Sequence, residues 1–116
     1  MKKLEWKDFQ LAITDDRQMY YSFEFKDYEI CLEPCLSGFD VAIYRIGPDE
    51  RIGDLVEPKK CSDMKFPKRS IAENNRNQKN GGERFVGING LKKGEKNMLR
   101  LRVLKLANEF YKKYNN

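Results

Sequence analysis

Apolar residues along the first half of the chain alternate with polar ones at a period of two. Phe9 to Thr14, Met19 to Phe25, Tyr28 to Glu33, Phe39 to Ile46 and Arg51 to Val56 each have the β-branched and aromatic content of a strand. Turn-forming residues separate them: Asp15-Asp16, a tight Lys26-Asp27, Pro34 to Gly38, and Gly47-Pro48-Asp49-Glu50. The reading is an antiparallel meander of four to five strands over about residues 9–56.

The alternation also sorts the faces. Tyr21, Phe23, Phe25, Tyr28, Ile30, Leu32, Val41 and Ile43 share one side; Tyr20, Ser22, Glu24, Glu29, Cys31, Glu33, Ala42 and Tyr44 share the other. One face is therefore expected to be apolar and the other to carry carboxylates. Such a sheet needs a cover on its apolar side.

The period changes near the C-terminus. Leu99, Val103, Leu106, Phe110 and Tyr114 recur at spacings of three and four, widened by Leu104, Ala107 and Tyr111, which predicts an amphipathic helix over about 98–114. Asn97 is the expected cap, and Lys112 and Lys113 suit the negative end of the helix dipole. Residues 59–97 have little periodicity and read as a basic, irregular connection. A second short helix near Arg69 to Gln78 would be capped by Ser70, with Glu73 three residues later. The class is α+β: a meander covered on one face by the C-terminal helix, all in one domain over residues 1–116.

Charge changes this picture most. Met1 to Pro58 carries 7 Lys/Arg against 13 Asp/Glu, whereas Lys59 to Asn116 carries 16 against 5, so the overall +5 conceals a basic C-terminal half. A segment of net +11 attracts anions, unless the two halves neutralise each other when folded. The expected ligand-binding residues are Arg84, Phe85, Lys92, Lys93, Lys96, Arg100 and Arg102. Arg84-Phe85 offers a cation beside a ring, and Asn80 to Asn97 is a glycine-rich basic approach to a helix start, where backbone N–H groups favour phosphate. This stretch lacks the spacing of a Walker A loop, and no strand of a βαβ unit precedes it. Gly87-Ile88-Asn89-Gly90 matches the GxxG of a KH loop, but the order of elements is wrong for that fold.

Catalysis has little to work with. The chain has no histidine, which removes the commonest general base. Glu57-Pro58-Lys59 and Glu24-Phe25-Lys26 have the Glu-x-Lys spacing of metal-dependent nucleases, with Asp40 or Asp15 upstream, but in a chain this rich in Glu and Lys both matches arise by chance. Three cysteines, Cys31, Cys35 and Cys61, give an odd count that argues against a disulfide framework. With Asp63 they would make an incomplete set for structural zinc, so no metal and no cofactor are expected.

The expected function is thus a small non-catalytic binding protein taking nucleic acid or a nucleotide on its basic half. An alternative is a protein-interaction or inhibitor module that docks on an acidic protein surface or self-associates head to tail as a homo-oligomer. The Lys/Asn-rich composition resembles that of accessory proteins of phages and mobile elements that act against host defence. A metal-dependent nuclease is a third class. No stretch approaches the length and apolarity of a membrane span, and Met1-Lys2-Lys3 is followed by Glu5, Lys7 and Asp8 in place of an apolar targeting segment, so a cytoplasmic location is expected.

Overall fold

A computed structural model of the chain describes residues 2–13, 19–35, 38–48, 52–64, 68, 72 and 91–116. Five strands run in sequence order across one antiparallel sheet: β1 (Gln10–Ile13), β2 (Met19–Phe25), β3 (Tyr28–Cys35), β4 (Gly38–Ile46) and β5 (Ile52–Leu55). A sixth, β6 (Lys60–Cys61), pairs with β4 beyond the end of β5, through Asp40 to Cys61 and Val41 to Lys60. This two-residue strand was too short to leave a period in the sequence.

Lys26 and Asp27 make the β2–β3 turn as expected, with Lys26 at φ 49, the left-handed backbone that a two-residue hairpin demands. The expected break at Pro34 is displaced: β3 continues through Pro34 and Cys35, paired with Phe39 and Gly38. The β2–β3 pairing ends at Leu32, so Pro34 sits where β3 has only β4 beside it. That is the edge position at which a strand tolerates the missing N–H.

The C-terminal helix α1 (Lys93–Tyr114) starts five residues before its expected start at Met98, and Lys92 replaces Asn97 as the cap residue. The Lys92 N–H donates to the Glu95 carboxylate at 3.0 Å, which satisfies one orphan donor of the first turn. A lysine cap and an exposed first turn leave no apolar signature, so periodicity alone places the start too late. Leu99, Val103, Ala107, Phe110 and Tyr111 are buried on the stripe side. They meet Ile30, Leu32, Phe39, Val41 and Ile43 of the sheet, each full burial of such a side chain contributing about 1.5–3 kcal/mol.

Leu4 also joins this core at 1% exposure, ahead of a single 3-10 turn at Trp6–Asp8. Trp6 packs on Tyr21 and Phe39, with ring centroids 4.9 and 5.9 Å away. These isolated apolar residues lie outside any periodic run.

The face away from α1 is less open than the alternation implies. Cys31 and Ala42 are buried there, and Glu29 is only 6% exposed. The Glu29 carboxylate accepts from Ser22 Oγ at 2.7 Å and from Cys31 Sγ at 3.3 Å, which compensates its loss of water. Of the helix expected near Arg69 to Gln78, only Ala72 is described, and it is helical.

Candidate ligand-binding surface

Among the described residues, a group of sheet carboxylates and the lysines of α1 lie on opposite sides of the sheet. Because α1 covers the apolar face, Glu24, Glu29, Glu33 and Asp40 are left on the other. Glu33 accepts from Tyr44 Oη at 3.0 Å and Lys59 Nζ at 2.8 Å. That hydrogen bond holds the Lys59 ammonium above its ordinary value, and burial followed by the Glu33 charge raises Tyr44. Among the described residues, two ion pairs join the acidic and basic halves, Lys113 with Glu57 and Lys59 with Glu33, whereas Lys60 with Glu109 lies within the basic half and Lys2 with Asp8 and Lys7 with Glu5 within the acidic one.

Five of the seven expected ligand-binding residues are described, and they do not form one cluster. Lys92 precedes the helix; at about 100° per residue, Lys93, Lys96 and Arg100 lie within about 60° of each other, while Arg102 lies about 150° away. Arg100 stacks over Trp6 at 5.3 Å, and its Nε is buried without a hydrogen-bond partner among the described residues. Arg102 donates to the Asp63 carbonyl at 3.2 Å. Arg84 and Phe85, and with them most of the glycine-rich stretch, lie outside the described residues. At the helix start, Glu95 already supplies an anionic oxygen.

An apolar groove that the helical period does not mark runs beside α1. Leu4, Leu101 and Leu104 line this groove of about 620 Å³, with Lys3, Lys105 and Lys112 as its cations and Glu5 and Glu109 as its carboxylates. Leu101 is 66% exposed and Met98 52%. Both fall off the apolar stripe, and an apolar residue on the wrong side of an amphipathic helix is the signal that could have located this groove.

Three residues of the two Glu-x-Lys spacings have local partners. Glu57 is bound by Lys113 and Tyr114, Lys59 by Glu33, and Lys26 reaches the Asn116 carbonyl. Asp15 lies outside the described residues. The cysteines divide differently from the expected set with Asp63: Cys31 is buried beneath Glu29, whereas Cys35 and Cys61 converge with Asp40. Among the described residues no helix is long and apolar enough to cross a membrane. No protein-family model, no curated protein and no solved structure matches this chain.

Proposed function

We propose that this is a non-catalytic cytoplasmic binding protein whose helix side takes the phosphate backbone of a nucleic acid. The observation that carries the reading is the segregation of charge: Glu24, Glu29, Glu33 and Asp40 of the sheet lie on the face away from α1, so the outward lysines of the helix are not spent on them. Lys92, Lys93 and Lys96 near one end, and Lys105 and Lys112 further along and about 100–180° round the helix with Lys3 across the groove, wind over about 30 Å of it. Spread cations suit an extended polyanion better than a single nucleotide, which needs donors converging on one concavity.

Fluorescence anisotropy with a labelled oligonucleotide at increasing salt tests this. Affinity should fall linearly in log–log form with a slope of about −0.7 to −0.9 per phosphate contact. A flat response, or no binding at low salt, contradicts it.

A second reading rests on the groove. Leu4, Leu101 and Leu104 between lysines suit an acidic, amphipathic segment of a partner protein, as an inhibitor or accessory module of a phage or mobile element would use. Capture from nuclease-treated cytoplasm separates the two: a stoichiometric protein partner retained after nuclease favours this reading, and loss with the nucleic acid favours the first.

A further inference from the structure

The end of the sheet opposite the β2–β3 turn brings two thiols and a carboxylate together. Cys35 closes β3, Asp40 lies in β4 and Cys61 lies in β6, directly across from Asp40. One ligand atom from each, Sγ, carboxylate oxygen and Sγ, lies within 4.8 Å of the other two, and all three residues are partly exposed. We propose that Cys35, Asp40 and Cys61 bind a zinc-class divalent cation, independently of any ligand on the helix side.

Local structure holds this set in place. Gly38 has φ 110, and a Cβ there would lie 2.3 Å from Ser62 Oγ and 2.7 Å from the Met64 carbonyl oxygen. Its bare backbone thus lets residues 62–64 close against the start of β4. Phe39 N–H donates to Ser62 Oγ at 2.9 Å, and Ser62 N–H donates back to the Phe39 carbonyl at 2.8 Å, which fixes Cys61 beside Asp40. Asp63, in left-handed backbone at φ 54, donates its N–H to Cys61 Sγ at 3.4 Å. A hydrogen bond of that kind supports negative charge on sulfur and orients a ligating thiolate.

The charges also ask for a cation. Asp40 stands directly opposite Glu33, a like-charged pair that is unfavourable across antiparallel strands. Lys59 compensates Glu33; among the described residues no lysine or arginine pairs with Asp40.

Donor chemistry selects the ion class. Thiolate with carboxylate and no imidazole suits zinc better than the hard, all-oxygen cations. In a tetrahedral site with zinc–sulfur bonds of about 2.3 Å, sulfur atoms sit about 3.8 Å apart, so the present set closes with side-chain shifts of about 1 Å. A direct disulfide fits worse, because Cys35 and Cys61 are on strands separated by β4. Two strand spacings of about 4.8 Å exceed the Cα separation that a disulfide spans. Binding converts two thiols to thiolates, releases two protons and leaves the fourth position to water or a donor from elsewhere.

Cobalt(II) is the probe. Titration into the reduced protein should give one equivalent bound per chain, with a thiolate-to-cobalt charge-transfer band that zinc displaces. Cys35→Ser and Cys61→Ser should abolish the band, Asp40→Asn should weaken binding at least tenfold, and Cys31→Ala should leave both unchanged. In the unsubstituted protein, which avoids any folding defect of the variants, zinc should slow alkylation of Cys35 and Cys61 read by peptide mass. No charge-transfer band, alkylation rates indifferent to zinc, or a Cys35–Cys61 disulfide forming in air in place of metal uptake would overturn the proposal.

Discussion

Asn108 binds both backbone polar groups of Leu4, accepting from its N–H at 2.8 Å and donating to its carbonyl at 3.1 Å. The side-chain amide acts as a short piece of strand, tying the N-terminal segment to α1 and seating Leu4 in the core. The same amide also donates to the Leu104 carbonyl at 2.9 Å. Asn108→Ala should cost about 1–3 kcal/mol, since it strands a part-buried N–H and carbonyl. Asn108→Asp keeps the acceptor and loses the donors, so it should also destabilise. Urea midpoints check both, and an unchanged midpoint in the alanine variant contradicts the clamp.

Gly38 should be intolerant of any side chain. Alanine there meets Ser62 Oγ and the Met64 backbone at once, in a backbone conformation that suits glycine. Gly38→Ala is expected to destabilise by about 2–4 kcal/mol, more than Ser62→Ala, which removes one hydroxyl acceptor at about 1–2 kcal/mol. Thermal unfolding of the two variants gives the order. If the serine variant is the less stable, the close approach is not what limits this corner.

The meander and the helix were legible because both are written as periods. Tyr21 and Phe23, Ile30 and Leu32, Val41 and Ile43 alternate, and the stripe from Leu99 to Tyr114 recurs at three and four. What escaped has no period. Leu4 is a single buried side chain whose placement depends on Asn108, 104 residues away. β6 is two residues long, and the start of α1 is marked by a Glu95 back-bond and by the single buried Leu91 ahead of the cap, neither of which makes a period. The candidate sites differ for the same reason. Lysine number was visible, but the separation of Arg102 from Lys93 and Lys96 around the helix follows only once its start is fixed. The meeting of Cys35, Asp40 and Cys61 needs the strand register.

Glu57 links acid stability to the helix terminus. Hydrogen bonds from Tyr114 and Lys113 hold its carboxyl below the ordinary value of 4.5. The folded state therefore binds this proton less readily than the unfolded chain, so the stabilisation is fully present above about pH 4.5 and is lost as pH falls through the lowered value. Glu57→Gln should lower stability at neutral pH by about 1 kcal/mol or less, as befits a partly solvated ion pair. It should also flatten the acid limb of the stability–pH curve. An acid limb that is equally steep in the variant would remove Glu57 from that role.

Cys31 should be the slow thiol of the three. Burial raises its pKa most, the Glu29 charge adds to this, and the Cys31 thiol donates its proton to Glu29. All three effects disfavour the thiolate that reacts. With iodoacetamide at mildly alkaline pH and no metal, Cys35 and Cys61 should label first, with Cys31 reacting at the rate of unfolding. Equal rates for Cys31 and Cys35 in the folded state would contradict its burial.

The segregation of charge makes the broadest claim, and amide chemical-shift mapping tests it residue by residue. On addition of a short oligonucleotide at low salt, perturbations should concentrate at Lys92 to Lys96, Lys105, Lys112 and Lys3, and salt should reverse them. The amides of Tyr20, Glu24, Glu29 and Glu33 on the far face should remain in place. Perturbations centred on that far face, or none at any position at low salt, would contradict the account.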